Sequence, residues 1–374
     1  MDVPSLKVGP SPQFSPAPTA PRVMWLDAAK GLSILLVAFH HAQLTATSIG
    51  AGWDLFAQFN ALFKPIRMPL FFLVSGALAA HSIERSWRGL LQGKVANLLY
   101  LYGLWTIITW SYYRYFYPIE GETLLGQHRS QLLTMWLIPL SGQWFLWLLS
   151  IYYVFAKIAH PFKGVGSLLL LCLMTALLAE SIDHFPHYSW RNALHYAPFF
   201  IFGQWYGHQI IAWLPRHPWT VLALGLVAYA SALGMVGLDH IAPGKTRNLP
   251  GFQLALSTAG LAVGLSAAIL MSRYLSIARN LAFFGRFTLP IYLAHGIIMS
   301  IVAVALSTLI LPAHGPIWMA PLLILISVPA SLGLSAVLGG FGARWFYSFS
   351  GIRHHVQTTI AALKNLIRRP DRSA

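Results

Sequence analysis

Charge is scarce in this chain. Of 374 residues, 9% are Asp, Glu, Lys or Arg, and Asp and Glu together number 10. Soluble domains carry about 25% charged residues, so an ordinary soluble globule is excluded. The single cysteine, Cys172, rules out an intramolecular disulfide and leaves no Cys-x-x-Cys pair for redox or zinc chemistry. Neither a Rossmann nor a Walker signature is present, and no repeat with a period of 20–50 residues runs through the chain. The alternating segments of about ten residues that mark membrane β-barrels are also missing. Residues 1–21 lack the apolar region and small-residue cleavage site of a signal peptide. Rich in Pro and Ser, they read as a disordered N-terminal tail, and the first apolar run is expected to stay in the mature protein.

What remains is apolar. Hydrophobic residues make up 56% of the chain, mean hydropathy is +0.60, and several runs reach the roughly 20 residues needed to cross a bilayer. The chain therefore reads as all-α, a polytopic integral membrane protein with about ten transmembrane helices. They fall near 26–46, 61–83, 95–117, 141–158, 165–182, 193–213, 218–238, 251–272, 287–311 and 316–343. The stretch "QLLTMWLIPLSGQWFLWLLSIYYVFAKI" is too long for one span and is broken by Pro139, Ser141 and Gly142. Its first part, 131–140, is expected to be an interfacial or re-entrant piece, which survives at membrane depth only where protein or a wet cavity covers it.

The net charge of +15 sits in short loops between apolar runs. That is a topology signal; no basic–aromatic module points to nucleic acid. With the N-terminus inside, 18 of the 25 Lys and Arg fall on the inner side, and ten spans return the C-terminus there, so both termini are expected to be cytoplasmic. The membrane domain then covers 22–345. The basic tail 346–374 places Ile352, Val356, Ile360 and Leu363 at helical spacing, which suits either an amphipathic helix on the lipid surface or a solvated tail.

Ionisable residues inside such spans are expensive and point to function by default. In "KGLSILLVAFHHAQ", Lys30 and His41 are eleven residues apart, about three helical turns, so they share a face with a rise of ~16 Å between them. His40 lies off that face. Asp27 is within reach of Lys30. In "PIRMPLFFLVSGALAAHS", Arg67 is expected just inside the outer edge of its span and needs an anion or carbonyl partner. Ser75-Gly76 is expected at the depth of His41, where a small pair serves close packing or hydrogen bonding. In "FTLPIYLAHGII", His295 reaches toward the same depth, with Tyr292 one turn earlier. Two mid-membrane histidines entering from one side suggest one buried polar site, and a neutral imidazole suits a general base. Gln143, Trp144 and Trp147 read as an interfacial aromatic belt or as a surface for a sugar. Glu180, Asp183, His184, His187, Arg191 and His195 gather in an outer loop that is either solvated or a binding site. None of these spacings defines a metal site.

The ordered stretches "WLDAAKGLSILLVAFHH", "RMPLFFLVSGAL", "QWFLWLLSIYY", "APFFIFGQWYG" and "TLPIYLAHGII" resemble the acyltransferase-3 family of integral-membrane acyltransferases over about 22–345. The family's first-helix signature is an arginine, ten residues and a histidine. Its spacing matches His41, and Lys30 stands in the arginine's place. Lysine keeps the charge but loses the bidentate fork, as in a subgroup that shares "KG" at this point. The resemblance implies a bacterial inner-membrane enzyme. It implies acyl-CoA as the donor substrate and a hydroxyl of an envelope glycan or lipid-linked sugar as the acceptor, with an acetyl or succinyl type of group transferred. In that reading His41 is the base or the residue that positions the acyl carbonyl, Lys30 and Arg67 contact the donor, and His295 and Ser75 assist. The alternative is a proton-coupled transporter or exporter using the same histidines as a relay. Such transporters often carry a pair of broken helices in matching halves, and here only 131–142 looks broken. A membrane sensor or scaffold without catalysis is a third reading.

Overall fold

The computed structural model describes residues 23–116, 125–181, 188–238, 249–310 and 317–349. The expected N-terminal tail and residues 350–374 of the C-terminal tail lie outside the described residues. Those described are 86% helix with no strand.

Helices α1 (Met24–Ser48) and α2 (Asp54–Glu84) form an antiparallel hairpin. A short α3 (Trp87–Leu90) runs through a π turn into α4 (Ala96–Tyr115), and a single turn, α5 (Gln131–Thr134), precedes α6 (Trp144–Ala159). There follow α7 (Val165–Ser181), α8 (Tyr188–Trp213), α9 (Pro218–Leu238), α10 (Phe252–Ser272), α11 (Leu275–Arg286), α12 (Thr288–Ile310) and α13 (Met319–Gly340). Each of the ten expected stretches lies on one of these helices. Six helices, α2, α6, α9, α10, α12 and α13, are long and apolar enough to cross a membrane, which makes the chain a multi-pass membrane protein. The other four stretches fall on α1, α4 and α8, whose polar and aromatic side chains lower their hydropathy, and on α7, whose apolar run ends at Leu178.

α2 is the hub. The apolar window of α2 is 67% buried, against 11% for α9 at the periphery. Lipid tails are as apolar as leucine, so helices in a bilayer associate through close packing rather than through escape from water. α2 and α8 do this with facing small residues. A Cβ on Gly76 would overlap the carbonyl oxygen of Phe200, and one on Gly203 would overlap that of Leu73. On this seam Phe72, fully buried, gathers Trp144, Phe145, Tyr152 and Tyr196 around its ring at centroid distances of 4.7–6.4 Å.

Two elements depart from the expected span map. α11 was expected to be loop. It buries Ala278, Leu281, Ala282 and Gly285 at the i, i+3, i+4, i+7 spacing of one helical face, and leaves Arg279, Phe283 and Arg286 exposed. That buried face lies on the first turns of α1, where a Cβ on Gly31 would overlap the Leu281 carbonyl and one on Gly285 the Asp27 carbonyl. The second departure is at α2, which begins at Asp54 rather than near 61, and this moves Arg67 inward.

The broken stretch is non-helical from Met135 to Gln143, and side chains from four surrounding helices hold its carbonyls. Tyr102 of α4 donates to Met135 O at 2.6 Å, and Trp147 of α6 to Trp136 O at 2.9 Å. From α8, Trp190 donates to Leu137 O at 2.8 Å and Ser189 to Pro139 O at 3.1 Å. Tyr292 of α12 donates to Gly142 O at 2.7 Å. Irregular backbone in the apolar zone is stable only when its polar groups are met in this way.

The glycine seam carries a direct test. Gly76→Leu is expected to collapse the yield of monodisperse protein in detergent, because α8 has no room to retreat without breaking the Phe72 cluster. Gly234→Ala, at a position with no heavy atom within 4 Å of the added Cβ, should leave yield and melting temperature unchanged or slightly raised. Equal yields for the two variants would refute the close-packing account.

Candidate functional site

α1 and α12 bring three histidines together. The His41 and His295 rings meet edge to face with centroids 5.1 Å apart, and His40 and His41 are 5.2 Å apart. His295 is 3% exposed; His40 and His41 keep part of their surface open.

The hydrogen bonds sort the three into different roles. The Arg67 guanidinium, 6% exposed, donates to Asn60 Oδ1 at 2.5 Å. Arginine has only donors, so the oxygen of the Asn60 amide must face it and the amide nitrogen must face away. That nitrogen donates to His40 Nδ1 at 2.9 Å and to Gln43 Oε1 at 3.0 Å. Gln43 Nε2 then donates to Thr47 Oγ1 at 3.0 Å. The chain of donors, started by a cation, makes Nδ1 of His40 an acceptor and places the proton of its neutral form on Nε2.

His295 is set the other way. Its Nδ1 faces two carbonyl oxygens, Ile291 at 2.8 Å and Tyr292 at 3.0 Å. Carbonyls only accept, so Nδ1 carries the proton and Nε2 presents a lone pair. That Nε2 is buried without a hydrogen-bond partner. His41, against it, makes no hydrogen bond among the described residues. The pair therefore offers one fixed acceptor nitrogen and one uncommitted ring to the same small space, as a base that receives a hydroxyl proton requires.

Lys30 forms an ion pair with Asp27 at 2.6 Å. It sits at the α11 end of α1, about 16 Å of helical rise below His41. The shared stripe expected of Lys30 and His41 thus runs from the α11 contact to the histidine pair. Arg67 lies about 20 Å inside α2 by helical rise rather than at an edge, turned toward His40 through Asn60. Ser75 is not brought to the cluster: it lies fifteen residues, about 22 Å of rise, beyond Asn60. Among the described residues it makes no hydrogen bond, and its neighbour Gly76 serves the α8 contact.

Gln143 and Trp147 are buried, at 5% and 4% exposure, and Trp144 stacks on Tyr196 at 6.2 Å, so these residues belong to the interior rather than to a surface belt. Asp183, His184 and His187 lie outside the described residues; Arg191 and His195 line a separate cavity, treated below. Among the described residues no three His, Cys, Asp or Glu side chains are grouped to hold a metal ion. The sequence reading missed Asn60 and Gln43. Asn60 fell just outside the expected span, although Gln43, three residues after His40, already signalled a polar face.

A helical membrane protein that buries a histidine pair between its first and a late helix is the class these features define. The family model described as an acyltransferase domain matches residues 23–340, and the chain belongs to the acyltransferase-3 family. Inner membrane protein YcfT of Escherichia coli (strain K12) is 22% identical, in a match that covers 56% of this chain and 66% of that relative. No solved structure matches the chain.

The polar chain is expected to act as a unit. Asn60→Leu leaves the Arg67 cation and His40 without their partner, a cost of about 1–3 kcal/mol, read as a lower melting temperature in detergent. Combined with Arg67→Met, which removes the unmet cation, it should recover part of the loss. Strict additivity of the two substitutions would disprove the coupling.

Proposed function

We propose that the protein is a membrane O-acyltransferase. It moves a small acyl group, of acetyl or succinyl type, from cytoplasmic acyl-CoA to a hydroxyl of an envelope glycan or lipid-linked sugar at a bacterial inner membrane. The observation that carries this reading is the uncommitted His41 ring beside the fixed acceptor nitrogen of His295, in a chain of this family. His41 takes the proton of the acceptor hydroxyl as its oxygen attacks the thioester carbon. His295, its Nε2 held as an acceptor, keeps the pair ready to receive that proton. The C–S bond then breaks and the leaving thiolate takes the proton back, giving an ester and a free thiol. Arg67 spends one of its five donors on Asn60, and its charge favours the oxyanion that forms on the carbonyl. Lys30 holds the donor at the cytoplasmic end with the ammonium donors that Asp27 leaves over.

The reading includes ten spans with both termini inside. Contacts between distant loops support this parity. Lys157, on the expected inner side, donates to Arg85 O, also inner. α11, with Arg279 and Arg286, lies against Asp27 and Gly31. Phe349 N donates to Asn97 Oδ1 at 2.8 Å, joining two further inner segments.

His41→Ala is expected to lower acyl transfer by at least about 100-fold while the protein inserts and purifies normally. His295→Ala should do the same, and His40→Ala should cost less. The readout is mass spectrometry of envelope glycans and lipids from cells with and without each variant, together with acyl-CoA consumption by purified protein. Undiminished modification in His41→Ala would remove this mechanism; proton-coupled flux in liposomes without any transfer would replace it with the transporter reading.

A further inference from the structure

A cavity of about 600 Å³ lies among α2, α7, α8, α9 and α10. Its lining comes from the last turns of α7 and α9 and the first turns of α8 and α10, so it sits at the end of the bundle opposite Lys30 and α11. Arg191, Asn192 and Gln253 line it, and among the described residues none of the three makes a hydrogen bond or an ion pair. Two other polar groups of the wall are already held. His195 is fixed by a 2.9 Å hydrogen bond to Ser257 Oγ, and Thr175 Oγ1 spends its proton on Leu171 O at 2.9 Å.

Polar and apolar groups are interspersed around this wall. On α10, Phe252, Gln253, Leu256 and Ser257 all line the cavity, and Thr175 and Ala176 stand side by side on α7. Such a lining is a poor match for two kinds of ligand. An alkyl chain would take the Asn192 and Gln253 amides out of water without partners, which is costly. A small inorganic anion would use Arg191 and leave the aliphatic groups unmatched. A sugar ring fits both parts. Its hydroxyls donate and accept around the rim, as the two amides do, and its C–H faces lie against the aliphatic groups between them. The volume is within the range of about 300–1,000 Å³ usual for small-molecule sites, where a few placed polar groups set orientation on a largely apolar wall.

We propose that this cavity binds a sugar unit, with Asn192, Gln253 and Arg191 bonding its hydroxyls and the aliphatic side chains of α9 and α10 covering its faces. The site is separate from the histidine pair, and the two are neighbours across α2: Tyr196 lines the cavity and lies within electrostatic reach of Arg67. Under the proposed function, on which only this role rests, the bound unit belongs to the acceptor glycan and adjoins the unit that is acylated. The donor then reaches the histidines from the Lys30 end of the bundle and the acceptor from this one.

The test is saturation-transfer NMR on the full chain in a polyether detergent, which carries no sugar of its own. Cellobiose and chitobiose are the probes, and sorbitol, an open-chain polyol without ring faces, is the control. At least one of the two disaccharides is expected to bind saturably, and sorbitol poorly. Asn192→Leu and Gln253→Leu should each weaken binding about tenfold with the melting temperature unchanged, since neither amide holds another residue. Leu233→Trp, which fills the space from α9 and leaves the amides in place, should abolish binding. Absence of saturable binding by both disaccharides, an equal response to sorbitol, or undiminished binding in both amide variants overturns the proposal. His41→Ala should bind the disaccharide as the unaltered chain does, so loss of acyl transfer and loss of this site are read separately.

Discussion

A guanidinium inside a bilayer must be met by acceptors, and much of this site follows from how Arg67 is met. Because arginine offers only donors, Asn60 has to turn its oxygen to it, and that single orientation propagates outward. The amide nitrogen of Asn60 is left to serve His40 and Gln43, which commits His40 to accept and ties α1 to α2 at one level. His41, one residue on and about 100° around the helix, is thereby left out of the network and turned to α12. The same bonding that makes His40 structural keeps His41 free.

The non-helical stretch before α6 is governed by the same requirement at the level of the backbone. Its carbonyls are taken by tyrosine, tryptophan and serine side chains from α4, α6, α8 and α12, so the irregularity works as a junction for four helices. Tyr292 joins this junction to the site. Its hydroxyl holds Gly142 and accepts from Phe145 N at 3.2 Å, and its backbone carbonyl fixes the tautomer of His295. One residue thus anchors the broken stretch and sets the tautomer of His295, which couples the packing of α6 to that of α12.

The helical phase of "KGLSILLVAFHHAQ" was enough to separate His41 from His40 and to put Lys30 on its stripe, because a rigid helix converts spacing into direction. The meeting of His41 with His295 was legible for a similar reason: both are costly at membrane depth and both enter from one end. Depth on α2 was not legible. "DLFAQFNALF" lay mostly before the expected span, yet it is helical, with Asn60 bonded to Arg67, His40 and Gln43, and no local pattern reveals partners on another helix. The misplaced start carried Arg67 toward an edge and Ser75 toward the site. α11 was missed because a twelve-residue amphipathic segment lacks the length signal of a span, and its partner, the glycine-marked face of α1, is far away in sequence.

The close approach of α11 to α1 also bears on Lys30. Gly31 and Gly285 bring the two backbones into contact beside Lys30, and Asp27 lies within the same turn. A flat guanidinium held in a bidentate pair needs fixed geometry on both sides, whereas an ammonium on a flexible stem can satisfy Asp27 and still turn a donor outward. In this chain the tight helix contact supplies the rigidity and the side chain supplies the adaptability. The fixed parts of the proposed donor path are then backbone and carboxylate, with the charge itself free to follow whatever anion enters from the α11 side.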